Sequence, residues 1–199
     1  TGGCSLHCCG PSTCPSRTAS SRGLRRVRPL QLSTEVSDVS GWTFAEIWET
    51  AAAQLPDAPF AKQGSRTVTW SEAERRAEGL ATFLLDRGAQ RQDKVAQYLY
   101  NCPEYLESVF ACYKAALVPV NTNYRYAADE LVYLWDNADA VAVIFHGIFA
   151  DTIEAIRERV PRVASWLWVD DGSGDCPEWA TPAEQSAGAA GQPVVDRVE

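Results

Sequence analysis

Residues 114–145, KAALVPVNTNYRYAADELVYLWDNADAVAVIF, read as a strand, a polar turn, an amphipathic helix and a second strand. Leu117 to Val120 is a short apolar run, and Asn121, Thr122 and Asn123 end it. Leu131, Leu134, Trp135 and Ala138 then recur at i, i+3, i+4 and i+7, which places them on one helical face. Val141 to Phe145 is an unbroken β-branched and aromatic run, the pattern of a strand covered by helices on both sides. Strands joined through a helix in this way run parallel, so the stretch predicts one βαβ unit.

The alternation continues outward. Upstream, Asp93 to Tyr100 reads as a strand. Asn101-Cys102-Pro103 stops it and opens a helix whose buried face is expected at Leu106, Val109, Phe110 and Tyr113. Downstream, Phe149, Ile153, Ile156 and Val160 predict another amphipathic helix closed by Pro161, and Trp166 to Val169 a further strand. Strands and helices alternating over residues 93–170 predict an α/β fold with a doubly wound parallel sheet flanked by helices. Ahead of the sheet, Thr43-Phe44-Ala45-Glu46 is a capping box for a helix with Phe44, Ile47, Trp48, Ala51 and Leu55 inward, ended by Pro56. Phe60 to Lys62 and Thr67 to Trp70, around Gln63-Gly64-Ser65-Arg66, predict a small β-hairpin. Ser71-Glu72-Ala73-Glu74 reads as a second capping box, opening a helix with Ala73, Ala77, Leu80, Ala81 and Leu84 on one face and Gly88 at its end. Asp170 to Pro177 is an acidic glycine loop, and from Thr181 onward one weak helix and a frayed end are expected.

A chain of 199 residues, 46% hydrophobic, is long enough for one domain with a sizeable core. It contains no methionine, even at position 1, so a partial, processed or mis-framed chain is expected. No apolar run reaches the length of about 18 residues that a membrane-spanning helix needs. The net charge is −8 and unevenly spread: residues 1–34 hold five arginines and no acid, which leaves −13 on the remainder. An acidic domain offers no electrostatic footprint for nucleic acid. Residues 1–34 lack hydrophobic periodicity and are expected to be disordered. Cys4, Cys8, Cys9, Cys14 and His7 lack the paired Cys-x2-Cys spacing of a zinc site. A transit peptide and a basic nucleic-acid arm are the other readings weighed there, and a flexible tail is preferred. The seven cysteines suggest no disulfide frame and suit a reducing cytoplasm.

In a parallel sheet, ligands bind beyond the carboxyl ends of the strands. Four such ends are expected, at Asn101, at the Asn121 to Arg125 turn, at His146-Gly147 and at Asp170-Asp171. The turn at Asn121 is the preferred candidate, although Asn and Thr there also serve as ordinary strand and helix caps. His146 lacks an identifiable partner and reads as a loop histidine. Asp170 and Asp171 read as solvent-facing acids in preference to metal ligands. Cys102 and Cys112 read as small core hydrophobes, and Trp166 and Trp168 as sheet-face packing. No catalytic residue and no metal ligand is assigned.

Several phrases, in order, resemble the N-terminal part of the adenylate-forming acyl-CoA synthetases, the AMP-binding enzymes. They are Thr69-Trp70-Ser71-Glu72, Lys114-Ala115, Val118-Pro119-Val120-Asn121, Asn123-Tyr124-Arg125-Tyr126, Glu130-Leu131-Val132-Tyr133 and Asp136-Asn137-Ala138. Ala116 departs from the glycine often found at that helix end. The resemblance implies an incomplete copy of the synthetase N-terminal domain, with a basic tail over 1–40, a partial AMP-binding domain over 41–185 and a frayed tail over 186–199. It implies that the parent enzyme uses ATP, Mg2+ and CoA to join a fatty or sterol-derived carboxylic acid to CoA with release of AMP and diphosphate. It also implies that Asn121, Thr122, Asn123, Tyr124 and Arg125 line the CoA tunnel. The glycine and hydroxyl loop that holds ATP phosphates in that family is missing from the sequence, and no lysine follows Lys114. The chain alone is therefore expected to be inactive and to hold none of these ligands tightly, the alternative being a catalytically silent α/β binding or scaffold module.

Overall fold

The computed structural model describes residues 42–186. The expectations for residues 1–34, and for the chain past Ser186, fall outside the described residues. Helix α1 (Phe44–Gln54) begins as predicted: Thr43 Oγ1 accepts the Glu46 N–H, and the Glu46 carboxylate accepts the Thr43 N–H. Strands β1 (Pro59–Gln63) and β2 (Arg66–Thr69) pair antiparallel as the expected hairpin, with Gly64 at φ +58° in the turn. Helix α2 (Trp70–Asp86) starts earlier than its sequence suggests. Its cap is Thr69, whose hydroxyl accepts the Glu72 N–H, and not a box at Ser71. The Trp70 and Ser71 amides bond to Ala58 and Pro56 carbonyls, so the chain before the hairpin completes the cap.

The main sheet holds β3 (Lys94–Tyr98), β4 (Val118–Asn121), β5 (Ala140–His146), β6 (Ser165–Val169) and the two-residue β7 (Thr181–Pro182). They lie in the order β4-β3-β5-β6-β7, and every neighbouring pair is parallel. Strand β7, too short for a periodic signal, was not foreseen. Helices α2 and α3 (Pro103–Lys114) cover one face of the sheet, where Leu80, Leu84, Phe110, Ile144 and Leu167 form the core. Helix α4 (Ala128–Asn137) and the segment after β5 cover the other, around Leu131, Trp135, Phe145, Phe149 and Ile153. That segment is not the continuous helix its periodicity predicts. It runs as a 3-10 turn (Gly147–Phe149), a short α5 (Ala150–Glu154) and a second 3-10 turn (Arg157–Arg159). Phe149, Ile153, Ile156 and Val160 are nevertheless all buried, because the i to i+3 bonds at Ile156 and Arg159 tighten the chain without turning those residues outward. The short α6 (Ala183–Ser186) ends the described residues, none of whose helices is long and apolar enough to cross a membrane.

Two helices are rotated relative to their predicted faces. On α1 the buried residues are Ala45 and Ala52, with Trp48 between them, while Phe44, Ile47 and Leu55 are exposed. Small methyl groups let α1 approach α2 and α3 closely, and Trp48 packs against Phe60, Trp70, Phe110 and Tyr113. On α3, Leu106 is exposed, whereas Glu107 and Lys114 are buried. Their burial depends on partners from remote sequence: Glu107 accepts from Arg76 at 2.7 Å, and Lys114 Nζ meets Glu49 and Glu74.

The end of α3 explains the departure at Ala116. The Leu117 N–H bonds to the Cys112 carbonyl and the Ala116 N–H to the Tyr113 carbonyl, with Ala116 at φ +53°. This is a Schellman closure, in which the left-handed position favours glycine. The turn forms with alanine, at the cost of strain at its Cβ.

Candidate functional site

From β3 the chain crosses to β4 on one side and returns past β3 to β5 on the other. The winding therefore reverses between the carboxyl ends of β3 and β5, where a parallel sheet opens a crevice for ligands. Leu99, Tyr100 and Asn101 leave β3 there, and His146 closes β5 directly opposite, beyond the Tyr98 and Phe145 register pair. The Asn121 to Arg125 turn leaves β4 on the near side.

The turn is built by its own hydrogen bonds. The Thr122 N–H donates to the Gln97 carbonyl at 3.0 Å, continuing the β3 and β4 ladder by one residue. Asn123 Oδ1 accepts the Arg125 N–H at 3.0 Å, and the Asn123 carbonyl accepts the Tyr126 N–H. Asn121, Asn123, Tyr124 and Arg125 are exposed, and the Arg125 guanidinium lies 5.4 Å from the Tyr124 ring centre. Thr122 differs from the other four. It is 1% exposed, and its hydroxyl accepts the Trp135 indole N–H at 3.1 Å, so this side chain ties the turn to α4. Arg125 makes no salt bridge among the described residues, which suits it to an external anion.

His146 is not the loop histidine the sequence suggests. It is the last residue of β5, only 5% exposed, and its Nδ1 accepts the Tyr100 N–H across the crevice at 2.9 Å. Burial lowers its pKa below the ordinary histidine value, against the opposing pull of the Asp171 and Glu104 carboxylates. Tyr100 is 41% exposed and stands at the centre of a ring cluster, 4.9 Å from Tyr124, 5.2 Å from Phe149 and 5.7 Å from His146. Sequence reasoning missed Tyr100, because its partner lies 46 positions away and no local period marks an aromatic just beyond a strand.

The acidic loop after β6 completes the rim. Asp171 accepts the Ile148 and Ser173 N–H groups and the Ser173 hydroxyl, and Asp170 accepts the Gly172 N–H. Burial acts to raise the Asp171 carboxyl, but the hydrogen bonds from Ser173 and Ile148 outweigh it and hold the group below the ordinary carboxylate value. Gly147 lets this loop approach β5, since a Cβ there would sit 2.8 Å from both Ser173 Oγ and Trp168 Nε1. Among the described residues no group of three or more His, Cys, Asp or Glu side chains converges as a metal site would require. Cys102 and Cys112 have their thiol pKa values pushed up to about 12 by burial, so both stay protonated and unreactive.

At this edge of the sheet the turn exposes the Asn121 and Asn123 amides, the Tyr124 ring and the Arg125 guanidinium beside Tyr100. Comparison with known proteins bears on the family and the fold. Residues 48–197 match the family model described as AMP-binding enzyme. The chain is 35% identical over 153 residues to a medium/long-chain-fatty-acid–CoA/3-oxocholest-4-en-26-oate–CoA ligase of Mycobacterium tuberculosis, an alignment covering 76% of this chain and 28% of that protein. It is 33% identical over 129 residues to a 3-oxocholest-4-en-26-oate–CoA ligase of Rhodococcus rhodochrous, covering 65% of this chain and 23% of the relative. The chain thus spans about a quarter of the length of these curated relatives. An acetoacetyl-CoA synthetase from Streptomyces lividans matches in structure with a TM-score of 0.71 over 78% of this chain and 26% of its own, at 20% identity, a likeness of fold alone.

Proposed function

The chain belongs to the AMP-binding enzyme family, and from that premise we propose that it serves an ATP-dependent acid–CoA ligase as scaffold and CoA-side wall. The ligase activates a fatty or sterol-derived acid. The acid carboxylate attacks the α-phosphate of ATP and expels diphosphate, and the CoA thiol then displaces AMP from the acyl-adenylate. The observation that carries the reading is the 35% identity to a ligase named for acids of both kinds. Residues 41–185 are a partial copy of the ligase's N-terminal AMP-binding domain in this reading, and the free Cys102, Cys112 and Cys176 suit a reducing cytoplasm.

Each residue of the turn has a distinct part in this reading. Asn121 and Asn123 offer amide donors and acceptors to the amides of the pantetheine arm. Tyr124 supplies an apolar ring face, and Arg125 pairs with a CoA phosphate through its planar fork of N–H groups. Thr122 contributes by holding the turn to Trp135, not by touching CoA. ATP is another matter. The glycine loop Asp171-Gly172-Ser173-Gly174-Asp175 is acidic, and its Gly172 and Ser173 amides already serve the Asp170 and Asp171 carboxylates, so it repels a triphosphate together with the Mg2+ that would come with one.

Two measurements on the 199-residue chain test the reading. Acid-dependent exchange between ATP and labelled diphosphate is expected at background, and clear exchange would show that these residues adenylate unaided. Calorimetric titration with CoA is expected to show weak, salt-sensitive binding that Arg125→Ala reduces several-fold. Equal CoA heats from the wild-type chain and Arg125→Ala would remove the turn from the CoA wall.

A further inference from the structure

We infer that His146 is a positioning residue of the crevice, a proton-operated latch that holds Tyr100 against Tyr124 when neutral and releases it when protonated. The argument begins with the hydrogen bond. His146 Nδ1 is the acceptor for the Tyr100 N–H, so the neutral ring carries its own proton on Nε2. A second proton can enter only at Nδ1. Donor then faces donor, and the bond by which His146 holds the Tyr100 amide is lost.

The consequence reaches the site because Tyr100 is the hub of its rings. Its backbone leaves β3 at Tyr98, the last residue with a register partner, so beyond that point no sheet pairing holds Tyr100 in place. Its side chain supports Tyr124 on one side and rests on Phe149 on the other. Phe149 is itself buried and stacked on Tyr98 at 4.0 Å, so it stays put. When the latch opens, the movable partner is Tyr100, and with it the support under Tyr124.

The groups facing the imidazole set when this happens. Asp171, beyond β6, and Glu104, in the first turn of α3, favour the charged ring, while burial opposes it and prevails. Tyr100 and, behind it, Tyr124 add neutral rings from the ends of β3 and β4. The latch is therefore closed at neutral pH and opens on acidification below the ordinary histidine range. That the wall so supported receives CoA rests on the function proposed above, whereas the latch itself does not.

The test is amide hydrogen exchange at Tyr100, resolved by NMR on the full chain between pH 5 and 8 and normalised to intrinsic rates, alongside the His146 ring proton shifts. In the wild-type chain, Tyr100 protection is expected to fall about tenfold in step with the imidazole titration. His146→Asn keeps an acceptor near the Nδ1 position and cannot titrate, so it is expected to retain protection at every pH. His146→Leu is expected to lose it at every pH. Asp171→Asn removes the main carboxylate favouring the charged ring and is expected to move the midpoint to lower pH. Protection that is independent of pH in the wild type, or a pH step that survives in His146→Asn, overturns the latch; His146→Asn decides the matter if His146→Leu fails to fold. CoA titration of the same variants separates the two proposals. Affinity that falls with Tyr100 protection supports the latch as a positioning device, and affinity unchanged while protection is lost overturns that role.

Discussion

The two faces of the central sheet are covered in chemically different ways. On the α2 and α3 face, charges are buried along with the apolar core. Arg76 donates to Glu107 and makes a two-pronged bond to Glu184 of α6, and Lys114 bridges Glu49 of α1 and Glu74 of α2. The Glu184 bonds raise the Arg76 pKa, and burial raises that of Glu107 even with Arg76 beside it. Glu107 Oε1 and both amide atoms of Gln97, a residue only 1% exposed, have no hydrogen-bond partner among the described residues. The α4 and α5 face is layered with rings instead: Tyr98, Trp135, Phe149, Phe145, Trp166 and Trp179 pack at centroid distances from 4.0 to 6.0 Å. Ion pairs fix which helices meet, because a buried charge tolerates only its partner. Rings give a continuous support that ends at the crevice. The first face holds the helices in register, and the second presents Tyr100 and Tyr124.

The comparison predicts a sharp asymmetry under mutation. The largest effect is expected for Arg76→Met, which leaves the buried Glu107 without its ion-pair partner and should cost about 3–5 kcal/mol in urea unfolding. The double variant Arg76→Met with Glu107→Leu should recover most of that loss. If it recovers none, the charges are doing more than specifying partners. On the ring face, Trp135→Phe keeps most of the packing but strands the Thr122 hydroxyl, for an expected loss of about 1–3 kcal/mol, measured by the same unfolding and partly restored by adding Thr122→Val.

Smaller effects come from the turns and from titration. Ala116→Gly relieves the left-handed alanine in the α3 closure and should stabilise by about 0.5–1 kcal/mol, read as a rise in Tm. The gentlest effect is the pH dependence through His146. Its folded pKa is depressed, so the stability it contributes is present above the ordinary value of about 6.5 and is lost as pH falls through the folded value. Unfolding midpoints between pH 7.5 and 5 should therefore decline more in the wild-type chain than in His146→Asn. Parallel curves would mean that the ring does not sense folding.

Much of this was legible in the sequence for local reasons. The capping box at Thr43, the glycine turns at Gly64 and Gly88, the Leu131 and Trp135 face and the polar turn after Val120 each depend on neighbours within a few residues, and each stands where predicted. The misses have a common cause too. The rotation of α1 and α3, the broken helix after Phe149 and the inward His146 were decided by what packs against them from far along the chain. A turn that looks uniformly polar likewise hid the difference between Thr122, aimed at Trp135, and its exposed neighbours.

The sequence by itself determined that strands and helices alternate, that the strands run parallel and that a polar turn follows Val120, because period and turn chemistry are properties of a dozen consecutive residues. Only the tertiary structure decided that β5 lies across β3 from β4, and hence that the crevice opens between Tyr100 and His146. Strand order is chosen by which helix faces bury together, and that energy belongs to pairs of surfaces that no single stretch of chain contains.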